Sequence, residues 1–158
     1  MQVYINELPS QLAYIGTGAF SSSSSKMNDN IYVTYIPNGV NTLPVYCFAH
    51  CPNVNISVFG TDTIGVGLRV IENAALRYCG NSVTNITILD SIEQIATSDN
   101  SSTAIVKEPA FVYYATNTLT QFTSTKPYYE IVNGKGEPLS SWAETGIPSD
   151  KVTEIVLY

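Results

Sequence analysis

Acid–base or nucleophilic chemistry in this chain has one histidine to use, His50. Imidazole trades its proton near neutral pH, and Ser-His-Asp or Cys-His catalysis depends on that. His50 sits in Cys47-Phe48-Ala49-His50-Cys51, so two thiols are its sequence neighbours. No third residue is placed to orient the ring, and the pattern suits a surface or half-buried histidine on a coil corner. Asp90 and Glu93 lie close together, but they read as solvated turn acids rather than a glycosidase pair. Asn28-Asp29-Asn30 offers oxygens without the ligand run of a calcium loop. Gly65-Val66-Gly67 lacks the third glycine of a dinucleotide fingerprint. The three cysteines, Cys47, Cys51 and Cys79, do not have zinc spacing. The expectation is a non-enzymatic protein with no cofactor, no metal site and structural free thiols.

The elements that hold these residues repeat. Residues 12–20, 40–48 and 68–76 share one frame: an apolar residue, another three later, and a large apolar residue five after that. Leu12, Val40 and Leu68 open the copies; Ile15, Leu43 and Ile71 follow; Phe20, Phe48 and Leu76 close them, 28 residues apart at each position. A fixed period of this size marks stacked repeats. Ser23, Cys51 and Cys79 each stand three residues after the closing residue, which makes them matching positions in successive coils. A further copy opens at Ile92 and Ile95 and then decays, with Asn100 where a large apolar residue belongs.

Composition narrows the partners. The 158 residues carry 44% hydrophobic and 13% charged side chains, which suits a folded domain rather than a disordered tail. A net charge of −6 with seven basic residues argues against nucleic acid or an anionic membrane surface. The apolar runs are all too short for a membrane-spanning helix. Eleven tyrosines fit a strand-rich fold and also a recognition surface. The N-terminus has no secretory pattern; with Met1 as the natural start, the expectation is a protein kept in a cytoplasm or packaged there into a particle.

Along the chain, Val3 and Ile5 predict a short capping strand, and Ser21–Asn30 and Phe59–Gly67 read as insertions. Strands are expected over 31–36, 54–58 and 86–89. In the second, Val54, Ile56 and Val58 should face inward. The solenoid should end near residue 102, dividing the chain into 1–102 and a non-repeat segment, 103–158, that caps or docks. In that segment Ile105-Val106 is a candidate strand, and 109–117 fits a helix or an extended stretch equally. A strand is expected over 128–132, a tight turn at 133–136, a helical turn at 139–144 and a closing strand over 152–157.

The frame Ala19-Phe20-x-x-Ser23, Ile36-Pro37-x-x-Val40-x-x-Leu43, Phe48-x-x-Cys51-x-x-Val54 resembles the BspA-like leucine-rich repeat. The resemblance covers about residues 8–96, with Cys47 in place of the usual alanine, Leu76 in place of phenylalanine and Asp90 in place of proline. It implies a mainly β repeat solenoid: a short leucine-rich-repeat stack of parallel strands with little helix, one strand per coil, followed by the non-repeat C-terminal segment. Tyr32, Thr34, Asn55, Ser57, Asn85 and Thr87 would then form an outward polar stripe and a candidate binding surface. Tyr128, Tyr129 and Trp142 are candidate docking residues in the tail. Family members serve as adhesins, binding modules and structural parts. They do so mostly on bacterial surfaces and also in phage particles. A compact repeat without a secretory pattern, an acidic polar-aromatic surface and a C-terminal segment suited to attach or cap give the expectation of a structural, decoration or adhesion role in a virion, that of a phage, with other virion proteins or sister chains as partners. A bacterial cell-surface adhesin that binds host protein or glycan is the alternative.

Overall fold

Short apolar frames separated by turns cannot bury their own hydrophobic faces, so each must lie against a copy of itself. The computed structural model describes residues 4–23, 25–98 and 106–153 and shows this stacking. Its strands are β1 (Ile5–Asn6), β2 (Ile31–Tyr32), β3 (Thr42–Leu43), β4 (Val58–Phe59), β5 (Val70–Ile71), β6 (Asn85–Ile88), β7 (Gln94–Ile95) and β8 (Gln121–Ser124). Every strand pair is parallel. The strands form two three-stranded ladders, β3-β5-β7 and β4-β6-β8, and the pair β1-β2. The coils from β3 to β7 thus feed two ladders rather than the single one expected. Pairing aligns like with like: Leu43 on Ile71 on Ile95, all fully buried.

Between β3 and β4 the chain turns a corner in which alternate amides face alternate ways. Cys47, Ala49 and Cys51 donate back within the turn, to Pro44, Tyr46 and Phe48. Tyr46, Phe48 and His50 donate to the next coil, to Asn73, Ala75 and Arg77 at 3.3, 3.0 and 2.7 Å. Gly18, Phe20 and Ser22 donate in the same way to Val45, Cys47 and Ala49. Phe20 stacks on Phe48 with centroids 5.4 Å apart and planes 7° from parallel. Phe48, Leu76 and Phe111 continue that column in the core.

Phe111 shows that the stack does not end near residue 102. Ala110-Phe111-x-x-Tyr114 repeats the frame Cys47-Phe48-x-x-Cys51, but 35 residues after Leu76 instead of 28. Tyr78 donates to Tyr113 and Ala115 donates to Cys79, while β8 pairs with β6 over four residues. Val132 bridges Gln94, and Val152 bridges Phe122, both parallel. Residues 109–117 are therefore neither helix nor extended strand; they are a corner of successive turns. A longer connection displaced the period without breaking the stack, and extra loop length costs little.

Other expectations are corrected locally. Val58 is 51% exposed and Phe59 is fully buried, because the register with β6 sets Phe59 on buried Ile88 and Val58 on Thr87. The second insertion therefore starts at Gly60. The strand expected over 31–36 is only β2 plus a bridge at Val33. Tyr128–Glu130 is a 3-10 turn behind Pro127 rather than a strand. The turn at 133–136 forms, with the Asn133 side chain accepting from Lys135 and Glu137, and Ala143–Thr145 is one 3-10 turn. Val3, Asn100, Ile105 and most of the closing strand, 154–157, lie outside the described residues.

Tyr114 occupies the position held by Cys51 and Cys79 and spans the core. Its hydroxyl accepts from the Ile56 amide at 2.8 Å and donates to the Ile56 carbonyl at 2.5 Å. Tyr114→Phe would strand both buried backbone groups and should cost about 1–3 kcal/mol. The neighbouring Tyr113→Phe should stay within about 0.5 kcal/mol. Urea unfolding of the two variants against the parent measures the difference.

Candidate functional site

The corner places chemically equivalent positions above one another. Ser22, His50, Tyr78 and Tyr113 follow the corner's inward aromatic or leucine by two residues and stack outside it. His50, Tyr78 and Tyr113 all adopt positive φ, 64°, 59° and 52°. Such a backbone costs an L-residue roughly 1–2 kcal/mol, and here the coil-to-coil hydrogen bonds hold it. Tyr78 lies 4.8 Å from Tyr113 with planes 8° from parallel, and His50 lies 5.1 Å from Tyr78. The Arg77 guanidinium carbon sits 4.7 Å from the Tyr78 ring centroid and 5.4 Å from that of Tyr113. Arg77 Nε also pairs with Glu108 Oε1 at 2.9 Å.

His50 is buried rather than half-exposed, and Arg77 orients it: Nη1 lies 3.1 Å from Nε2. A guanidinium only donates, so Nε2 accepts and the ring proton resides on Nδ1, which has no partner among the described residues. Burial, then the Arg77 charge, pushes the imidazole pKa below its ordinary 6.5. Neither thiol joins it. Cys51 donates to the Phe20 carbonyl at 3.0 Å and Cys47 points to the Ala75 carbonyl at 3.8 Å, while the more distant Cys79 donates to the Phe48 carbonyl at 2.9 Å. All three cysteines are free and buried. Burial pushes Cys51 up to about 12 and raises Cys47 and Cys79 strongly.

Asp90 and Glu93 point to separate partners. Asp90 accepts from Thr125 at 2.6 Å, and Glu93 pairs with Arg69 at 2.8 Å on the surface. Asn28 caps Asn30, and the Asp29 carbonyl accepts from Asn53. Among the described residues, no three His, Cys, Asp or Glu side chains gather as metal ligands.

The six residues of the expected polar stripe all turn outward, exposed or partly so. Several of them tie coils together. Thr34 bonds the Glu7 carboxylate through its amide and hydroxyl at 2.6 and 2.8 Å. Asn55 donates to Asn81 and accepts from the Ser82 amide. Thr87 meets Thr123 at 3.2 Å, and Tyr32 packs on Tyr4. The tail residues divide. Tyr129 is 61% exposed, Tyr128 is half-buried against the core, and Trp142 is buried on Phe122, 4.8 Å between centroids. Trp142 is thus a core residue rather than a free docking group. Sequence reasoning missed the column of His50, Tyr78 and Tyr113. Its signal was the 28-residue step from His50 to Tyr78; the 35-residue step to Tyr113 hid the rest.

A family model for the BspA type leucine-rich repeat region, in six copies, matches residues 3–107. No curated protein and no solved structure matches the chain.

A lowered imidazole pKa means the unfolded chain takes the proton first as pH falls. The stability His50 contributes should therefore be complete above about pH 6.5 and decline below it. His50→Gln should flatten this part of the profile in urea midpoints taken between about pH 8 and about pH 5. An aromatic disulfide reagent should leave all three thiols unmodified in the native protein and label all three once denaturant is added.

Proposed function

The chain belongs to the BspA type leucine-rich repeat family, and on that premise we propose that it is a non-enzymatic attachment module. In this reading it is a decoration or adhesion component of a virion, a phage particle, and engages other particle proteins, sister chains or a host surface. The observation that carries the reading is the column at the corner: Tyr78 and Tyr113 stay 39% and 47% exposed although stacked and clamped by Arg77. Rigid, half-exposed aromatics bind at low entropic cost, and such groups dominate interface energies. Repeat families of this kind use their surfaces for protein binding and adhesion. The acidic, tyrosine-rich surface supports a particle-surface setting. It equally suits a bacterial cell-surface adhesin, which is the second reading.

Purified particles from the source should contain the protein in fixed stoichiometry by mass spectrometry. Its presence only in a bacterial cell envelope would overturn the virion setting and favour the second. In either setting, the double variant Tyr78→Ala/Tyr113→Ala should bind the native surface at least about tenfold more weakly. Unchanged binding would remove the column from the function.

A further inference from the structure

Beside the tyrosine stack runs a groove of about 210 Å³. Tyr78 and Tyr113 line it together with Asn81, Thr116, Asn117 and Thr118. Met27, from the serine-rich insertion, joins the lining, and the insertion is tied to this corner by the Asn28 amide donating to the His50 carbonyl at 2.9 Å.

The lining contains no charged side chain. A phosphate or carboxylate ligand would need a cation there, and Arg77 is engaged by Glu108 and the rings. An added peptide strand would need free backbone groups. Four of the lining amides are already spent: Tyr78 donates to Tyr113, Gly80 to Val54, Asn81 to Pro52, and Thr118 to Ala115. What the groove does offer is side-chain chemistry. Among the described residues, Asn117 and Thr116 make no side-chain hydrogen bond, so one carboxamide and one hydroxyl are open. An amide offers two donors and an acceptor. The Thr118 hydroxyl gives its one proton to the Val83 carbonyl at 2.6 Å, with the Gly80 carbonyl farther off at 3.3 Å, which leaves its lone pairs free to accept. An aromatic wall facing amides and hydroxyls suits a neutral molecule with an apolar C–H face and a rim of hydroxyls.

We infer that this groove binds one unit of a neutral carbohydrate, with the ring's C–H groups against Tyr113 and the exposed edge of Tyr78, whose faces are taken by His50 and Tyr113, and its hydroxyls on Asn117, Thr116 and Thr118. Its volume is below the roughly 300–1,000 Å³ of sites that enclose a drug-sized ligand. The rest of a longer glycan therefore stays outside. The inference deepens the attachment reading and rests on it, by naming the class of surface ligand.

The test is titration of isotope-labelled protein with maltotetraose and, separately, with tetra-N-acetylchitotetraose at millimolar concentration, followed by amide chemical shifts. At least one should give saturable shifts confined to residues 78–81 and 113–118. Asn117→Ala removes a partnerless exposed side chain, so it folds; it should weaken that binding at least about tenfold, while Tyr113→Phe, which keeps the stack, should retain it. Three outcomes overturn the inference: no saturable shift with either sugar, equal shifts with an anionic heparin tetrasaccharide, or equal shifts with a neutral Ala-Gly-Ser peptide. If the sugars fail while the double tyrosine variant still loses surface binding, the carbohydrate site falls and the attachment reading stands.

Discussion

The structure depends on one constraint: the backbone of each coil must find its hydrogen-bond partners in the next. The strands are two to four residues long and cannot satisfy themselves. The corner amides of Gly18, Phe20, Tyr46, Phe48, Tyr78 and Phe111 each donate one coil onward. A buried amide left without a partner costs about as much as a lost hydrogen bond, so register is held at every step. Side-chain identity follows from register. Once Phe48 lies over Ala75, the Phe20, Phe48, Leu76, Phe111 column is inward and the His50, Tyr78, Tyr113 column is outward.

The same constraint explains the unusual residues. Tyr46, Ala74, His50, Tyr78 and Tyr113 hold positive φ without being glycine. The ladder tolerates the strain because relieving it at one corner would break bonds to two coils. Glycine is required only where space also demands it. At Gly80 an added Cβ would come within 2.9 Å of the Tyr114 ring, and at Gly146 within 2.8 Å of the Phe111 backbone. The buried thiols fit this picture as small core groups: Cys51 and Cys79 donate to carbonyls of the preceding coil, and Cys47 points to the Ala75 carbonyl of the following one.

Much of the architecture was legible because inward positions obey a period. Ile15, Leu43, Phe48, Cys51, Ile71, Leu76 and Cys79 are all buried as the 28-residue frame requires. The frame lost track where the loop between Leu76 and Phe111 lengthened the coil, since a frame continued from Ile92 and Ile95 lands on Asn100 in a polar stretch. Val58 was misplaced because strand alternation is a local rule, and pairing with β6 overrides it. Trp142 was misread because a lone tryptophan outside the repeat carries no periodic mark of burial. The outward column was illegible for a different reason. Arg77, Glu108, His50 and two tyrosines come together only through stacking, and tyrosine at positive φ has no local signature.

Residues 109–153 stack as further coils on the repeats before them. Amide hydrogen exchange tests this most directly. The Tyr78, Phe111, Ala115 and Thr153 amides donate across coils, and they should be protected by orders of magnitude, alongside Phe48 and His50. Strong protection through residue 96 with free exchange across 109–153 would contradict it.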